Sequence, residues 1–218
     1  MYYFDQEKEL DLYIERAGQY DERCDQSSVI GKGTYGVCFN VGGDAVKITC
    51  DLSEVCASIG MTKVNCDSYP KIKEIVKIDN TELWVIRQEL CEPLSPKDYR
   101  ALSKITSELE YCGIGEIAST THEGLSILFG DGDLDHFEED KLIEELIDAT
   151  RDVSKVPLLK ELDLHVDNIM RINGRMVLID QKDVYLDLDR IKLQDKILSR
   201  FLSEQPSLER VESELSFE

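Results

Sequence analysis

Apolar residues near the start of the chain recur at the spacing of a helix. The recurring positions are Leu10, Tyr13, Ile14 and Ala17. Because residues three or four apart share one helix face, this pattern predicts an amphipathic helix over about residues 6–19. Start signals and one-sided apolar positions predict further helices from Ser95 to about Tyr111, from Asp140 to Val153 and over residues 188–202.

Between these helices, β-prone segments are separated by turn residues. The segments are residues 37–41, 45–48, 71–78 and 83–90, with Gly42-Gly43 and Asp79-Asn80 as the turns. Two β-prone segments joined by a tight turn are typical of an antiparallel hairpin. Another hairpin is predicted over residues 168–179, because Asn173-Gly174 favours a type I′ turn. The pattern therefore predicts an α+β chain.

Composition narrows the class of protein. The 218 residues are 42% hydrophobic, which is enough for one globular domain built as two lobes. No apolar run is long enough to cross a bilayer, and the first residues lack the features of a signal peptide, so we expect a cytoplasmic protein without a membrane partner. The seven cysteines include no C-x-x-C pair, so we expect reduced, structural thiols. The net charge of −20 argues against nucleic-acid binding and favours basic partners.

A glycine-rich segment precedes the first hairpin. Gly31-Lys32-Gly33-Thr34-Tyr35-Gly36-Val37 fits G-x-G-x-x-G, and Asp44-Ala45-Val46-Lys47 follows on the next predicted strand. Glycine lets the backbone approach phosphate oxygens closely, and a lysine on a neighbouring strand neutralises phosphate charge. A dinucleotide-binding turn has similar glycines but needs a helix that opens on the last one. The β-prone residues after Gly36 argue against it, while a plain glycine-rich hairpin remains an alternative.

A second polar pattern lies in the last third of the chain. In Asp163-Leu164-His165-Val166-Asp167-Asn168 an Asp stands five residues before an Asn, and the predicted hairpin connects that Asn to Asp180. Such an Asp can accept the proton of a hydroxyl group, while the Asn and the second Asp can hold Mg²⁺. Each residue is also common in turns and at strand ends. The phosphoryl-transfer interpretation depends on all three following the glycine-rich segment and Lys47 in this order.

Together these patterns resemble the protein-kinase superfamily over about residues 28–185. The resemblance implies a bilobal protein-kinase-like fold with a β-rich N-lobe and a reduced helical C-lobe. It also implies ATP and Mg²⁺ as cofactors, Asp163 as the catalytic base, and Asn168 and Asp180 as metal ligands. Residues 84–96 would be the hinge, where backbone groups of Glu89 and Cys91 bond adenine, unless they are an ordinary strand-to-helix connection. The other implied nucleotide contacts are Gly31, Lys32, Gly33, Thr34, Tyr35, Gly36, Val37, Ala45 and Lys47.

Departures from the eukaryotic pattern narrow the resemblance. Eukaryotic protein kinases have His-Arg before the catalytic Asp, where this chain has Glu161-Leu162. They have Phe-Gly after the metal-binding Asp, where this chain has Gln181-Lys182. Only 38 residues follow Asp180. The D-L-H-x-x-N loop is similar to those of aminoglycoside and choline phosphotransferases and of short bacterial and bacteriophage protein kinases, and the phage type fits best. His165 is a catalytic candidate that contacts the γ-phosphate or orients Asp163, and the alternative is an imidazole that packs in the loop.

Two acidic features have simpler explanations. Glu54 is the candidate partner of Lys47, but it also fits a capping box with Asp51 at the start of a short helix. Residues 131–135 superficially suggest a calcium loop, but the later Gly and Glu of an EF-hand are missing. An acidic surface turn is the preferred interpretation there.

These predictions divide the chain into an N-terminal helical extension (1–22), an N-lobe (23–91), a reduced C-lobe (92–203) and an acidic tail (204–218). The expected function is that of an ATP- and Mg²⁺-dependent Ser/Thr protein kinase of minimal phage or bacterial type, with a protein substrate that can include itself. One alternative is a pseudokinase that binds and inhibits or regulates a basic host or regulatory protein. Another is a small-molecule kinase.

Overall fold

We describe the fold from a computed structural model of the chain. The described residues are 6–64, 66–111, 121, 123–125, 137–156, 159, 162–181 and 188–204. The chain divides into two compact units, Met1–Val184 and Tyr185–Glu218. The first unit contains every predicted site residue. The predicted domain boundaries stay predictions.

A five-stranded antiparallel sheet forms the first half of this unit. Its strands are β1 (Val29–Lys32), β2 (Gly36–Val41), β3 (Asp44–Thr49), β4 (Ile72–Lys77) and β5 (Trp84–Glu89). They are arranged in the order β1-β2-β3-β5-β4. The turns at Gly42-Gly43 and Asp79-Asn80 lie where the sequence predicts them, and Asn80 has a positive φ of 56°.

Strand alternation gives this sheet two different faces. Val37, Phe39 and Val41 of β2 are buried with Tyr13 and Ala17. These two residues belong to α1 (Gln6–Tyr20), which confirms the predicted amphipathic helix. The intervening residues of β2 and β3 therefore point to the opposite face of the sheet.

A short, almost entirely buried helix follows β3. This helix, α2 (Leu52–Met61), begins after Asp51, whose Oδ1 accepts the backbone N–H groups of Ser53 and Glu54 at 3.0 and 3.4 Å. An Asp at this position satisfies backbone donors that have no partner within the helix. The cap fixes where the first turn begins, and therefore where the side chain of Glu54 emerges.

The second half of the unit is mainly helical. It contains α3 (Pro96–Tyr111), α4 (Phe137–Val153) and a hairpin of β6 (Ile169–Ile172) and β7 (Arg175–Leu178). Asn173 and Gly174 have φ values of 52° and 78°, so the hairpin has the predicted turn. One core joins the helices to the hairpin, and it includes Leu102, Leu109, Leu146, Val153, Ile169 and Leu178.

The connection between β5 and α3 is tied to the hairpin. Glu92 and Arg171 exchange two backbone hydrogen bonds of 2.8 and 2.9 Å. Nη2 of Arg171 also lies 3.3 Å from Oδ2 of Asp98 and 2.9 Å from Oε2 of Glu145. Arg171 therefore joins the connection, α3 and α4.

In the second unit, α5 (Leu188–Glu204) confirms the last predicted helix. The predicted acidic turn at residues 131–135 and residues 205–218 of the predicted tail lie outside the described residues. Within the described part, no helix has the length and apolar character to cross a membrane. The fold is of the predicted α+β class. Its first unit combines an antiparallel sheet with a mainly helical part.

Candidate active site

A cavity of about 770 Å³ lies between the sheet and the β6–β7 hairpin. Most of the predicted site residues line it. Those residues are Gly31, Lys32, Gly33, Thr34, Tyr35, Gly36, Ala45, Lys47, Cys91, Asp163, His165, Asn168 and Asp180. Two motifs that are about 130 residues apart in the sequence are therefore brought to one cavity.

Lys47 is held between two carboxylates in the wall of the cavity. Its Nζ lies 2.6 Å from Oε1 of Glu54 and 2.8 Å from Oδ1 of Asp180. Burial lowers the pKa of Lys47, but the carboxylates of Glu54 and Asp180 outweigh that effect and raise the pKa above its ordinary value. Lys47 is therefore a fixed positive charge at neutral pH.

The position of Glu54 decides between the two explanations of this residue. Its Oε2 accepts a hydrogen bond of 3.1 Å from Thr49 Oγ1, and its other oxygen contacts Lys47. The N–H of Asp51, which a capping box would direct to Glu54, donates instead to Thr49 Oγ1 at 3.1 Å. Glu54 is thus the ion-pair partner of Lys47, and the capping-box explanation of its side chain is wrong. Burial raises the pKa of Glu54, against the opposing effect of Lys47.

The glycine-rich loop closes tightly over the end of β3. Gly33 N–H donates to Gly36 O at 2.9 Å, and Cys50 N–H donates to Tyr35 O at 3.0 Å. A Cβ atom added at Gly36 would lie 2.4 Å from the carbonyl oxygen of Ile48, whereas one at Gly33 would have 3.9 Å to its nearest neighbour. Gly36 is therefore required by close packing of the backbone.

Val37 was predicted to contact the nucleotide, and the structure corrects this prediction. Its side chain is buried against α1 on the other face of the sheet. Cys38, the next residue, lines the cavity. Successive side chains of a strand point to opposite faces, so the wall residue has to be Cys38.

At the predicted hinge, the cavity is lined by Gln88, Leu90 and Cys91. Glu89 is not among the described residues that line it. Instead, Glu89 N–H donates to Lys71 O at 3.1 Å, and Glu89 Oε2 accepts the N–H of Lys71 at 3.2 Å. The adenine bonds of the Glu89 and Cys91 backbone stay predictions.

Gln181 clamps the backbone of Asp163. Its Oε1 accepts the N–H of Asp163 at 3.1 Å, and its Nε2 donates to the carbonyls of Asp163 and Ile179 at 3.0 and 2.9 Å. Asn168 Nδ2 adds a bond of 3.3 Å to the same Asp163 carbonyl. Gln181 is fully buried. It links the residue after Asp180 to the base candidate, and its position beside Asp180 was the only sequence signal that pointed to it.

His165 contacts Asp163 through its backbone. Its backbone N–H lies 3.4 Å from Asp163 Oδ1, whereas its Nδ1 accepts the N–H of Asp167 at 3.4 Å. The imidazole is 64% exposed at the cavity mouth. The contact with Asp163 is thus made by the backbone, and a contact between the ring and a γ-phosphate stays a prediction.

Asn168 and Asp180 are held at adjacent strand ends. Ile179 N–H donates to Asn168 O at 2.8 Å, and Asp180 has a left-handed φ of 54°, which an Asp tolerates. Side-chain oxygens of this kind suit Mg²⁺, which commonly takes one or two protein carboxylates and completes its shell with phosphates and water. Within the described residues, no group of three His, Cys, Asp or Glu could hold a metal ion by itself. The donor set fits a Mg²⁺ ion that arrives with a nucleotide.

Comparisons with known proteins add little to this geometry. No family model matches the sequence, and no curated protein matches it. Ten chains of solved structures match this chain. One is a thermostable mutant of the aminoglycoside phosphotransferase APH(4)-Ia in its apo form, with a TM-score of 0.35 and 14% identity. The alignment covers 70% of this chain and 65% of that one, which is less than two thirds of its length.

Proposed function

We propose that this protein is an ATP- and Mg²⁺-dependent phosphotransferase of the kinase type. The observation that carries the proposal is the convergence of Lys47, Glu54, Asp163, Asn168 and Asp180 on one cavity. Structural ion pairs are common in proteins, but this one adjoins both a glycine-rich loop and an Asp whose backbone is held by Gln181. This combination supports phosphoryl transfer.

The cavity has separate environments for the base and the phosphates. Its apolar lining includes Ile30, Ala45, Leu90, Met170 and Ile179. A planar base would fit between such side chains. The glycine-rich loop would present backbone N–H groups to the phosphates, and the ammonium of Lys47 would neutralise part of their charge.

Transfer would use Asp163 as the proton acceptor. The oxygen of the acceptor hydroxyl forms a bond to the γ-phosphorus, the bond to the β–γ bridging oxygen breaks, and ADP leaves. The hydroxyl proton passes to the carboxylate of Asp163. Asn168 and Asp180 would hold Mg²⁺, which neutralises phosphate charge when bound. Gln181 and Asn168 keep the backbone of Asp163 in place during this step.

For the acceptor, we propose a Ser or Thr of a basic protein, including the chain itself where such a residue reaches the site. The net charge of −20 supports this proposal, because it attracts positively charged proteins over distance.

The proposal is tested by incubating the purified chain with Mg²⁺, γ-labelled ATP and a mixed-protein lysate. Asp163→Asn is the test variant. Asp148→Asn is the control, because Asp148 lies on the exposed side of α4 and pairs with Arg151. We expect label on protein with the wild type and the control, and none with Asp163→Asn. If the wild type neither transfers label nor shows a thermal shift with Mg²⁺ and ATP, the proposal is wrong. A shift without transfer to protein would favour a pseudokinase or a small-molecule kinase.

A further inference from the structure

The backbone carbonyl of Tyr35, in the glycine-rich loop, has more donors around it than it can accept. Cys50 N–H lies 3.0 Å away, the hydroxyls of Thr49 and Tyr13 each 3.2 Å, and Cys50 Sγ 3.5 Å. A carbonyl oxygen has two lone pairs, so it accepts two good hydrogen bonds. Which donors fill them determines what holds the loop.

The hydroxyl of Thr49 is engaged elsewhere. Its single hydrogen is also within reach of Glu54 Oε2, at 3.1 Å, and a carboxylate is a stronger acceptor than a neutral carbonyl. The same hydroxyl oxygen accepts the N–H of Asp51 at 3.1 Å. The thiol of Cys50 is a weak donor. The Tyr35 carbonyl is therefore left with Cys50 N–H and the hydroxyl of Tyr13.

Tyr13 presents this hydroxyl from a fixed position. The residue lies on the inner face of α1, is 9% exposed, and packs in the core beside Ala17, Val37 and Phe39. Cys50 Sγ is a second acceptor at 3.4 Å, but sulfur is the weaker one. Burial of the ring limits its rotation, so the hydroxyl stays beside the loop.

We propose that Tyr13 is a positioning residue for nucleotide binding, which holds the glycine-rich loop through the Tyr35 carbonyl. This inference rests on the proposed function. One end of the loop is closed by Gly33 N–H and Gly36 O, and the other by Cys50 and Tyr13. A loop held in this way binds phosphates without a further ordering cost. Helix α1, which lies outside the sheet, thereby becomes part of the ATP-binding apparatus.

The test compares Tyr13→Phe with Tyr20→Phe in the full chain. Tyr20 is a matched control on the same helix, because its hydroxyl bonds to Glu74 and not to the loop. Binding of a non-hydrolysable ATP analogue with Mg²⁺ is measured by calorimetry, together with KM and kcat. We expect Tyr13→Phe to raise the Kd and the KM for ATP about three- to tenfold, the effect of one lost hydrogen bond. The KM for the acceptor should be unchanged, and Tyr20→Phe should match the wild type.

Amide hydrogen exchange without nucleotide gives a readout that does not depend on activity. We expect residues 33–36 to exchange faster in Tyr13→Phe than in the wild type or Tyr20→Phe, with similar far-UV circular dichroism in all three. Equal analogue affinity, or equal exchange in the loop, would overturn the inference. If the wild type binds no nucleotide, the proposed function fails, and the exchange experiment still decides whether Tyr13 holds the loop.

Discussion

A single buried amide determines where the proposed base stands. Gln181 pairs with both the N–H and the carbonyl of Asp163, much as a neighbouring strand would. It also bonds the carbonyl of Ile179, so the two segments that carry Asp163 and Asp180 are joined through one side chain. In kinases of the eukaryotic pattern this position is Phe, which has no hydrogen-bonding group. The segment that carries Asp163 is thus oriented by a polar side-chain contact.

This contact predicts the effect of Gln181→Met, which keeps the length of the side chain but removes its polar atoms. The backbone N–H and carbonyl of Asp163 and the carbonyl of Ile179 lose this partner, at about 1–3 kcal/mol for each group left unpaired, while the Asp163 carbonyl keeps its bond from Asn168. We expect a lower free energy of unfolding and a kcat reduced at least about tenfold, with the KM for ATP nearly unchanged. Steady-state kinetics and urea unfolding measure these quantities. A kcat within twofold of the wild type would show that Asp163 does not depend on the clamp.

Glu54→Gln should separate activity from stability. The substitution removes a charge-assisted contact to Lys47, worth about 1.5–3 kcal/mol, so we expect kcat/KM for ATP to fall about ten- to hundredfold. Lys47 keeps Asp180 as a partner. The substitution therefore leaves no fully orphaned buried charge and should avoid the about 3–5 kcal/mol that such a charge costs.

The pH dependence of this variant has a definite sign. Burial raises the pKa of Glu54 above 4.5, so its contribution to stability is fully present below that value and is lost as pH rises through the raised pKa. The wild type should therefore lose stability relative to Glu54→Gln as pH rises from about 4.5. Urea unfolding of both proteins across this range measures the difference. A constant difference would mean that Glu54 has the same pKa in the folded and unfolded chains.

At the scale of elements, the backbone of the glycine-rich loop is packed much more closely around Gly36 than around Gly33. Gly36→Ala would place a Cβ 2.4 Å from Ile48 O, in the backbone of the sheet, and β2 and β3 would have to separate there. Gly33→Ala would meet its nearest neighbour only at 3.9 Å. We expect Gly36→Ala to weaken ATP binding severely and lower the thermal midpoint, and Gly33→Ala to keep the midpoint. Equal midpoints for both variants would contradict this packing argument.

Local patterns predicted the elements better than the contacts between them. Helix α1 and the hairpins follow from apolar spacing and from turn residues such as Gly42-Gly43 and Asn173-Gly174, and all of them are confirmed. Strand alternation would also have placed Cys38, rather than Val37, at the cavity. The pairing of Lys47 with Glu54 stayed open, because a Glu at this place suits a helix cap as well as an ion pair. Gln181 was missed because its partner lies 18 residues away, beyond the reach of any local pattern.

At the scale of the whole molecule, the net charge of −20 affects the two proposed substrates in opposite directions. It repels the anionic nucleotide and attracts a basic acceptor, and salt screens both effects.

Raising the ionic strength from about 0.03 to about 0.3 M shortens the Debye length about threefold. We therefore expect the KM for a Lys- and Arg-rich Ser/Thr peptide to rise, while the KM for ATP falls or stays constant. An acidic peptide with the same hydroxyl residues is the control, and its KM should fall with salt. If salt shifts the KM of both peptides equally, the charge of the chain does not select the acceptor, and the proposal of a basic protein substrate loses its electrostatic support.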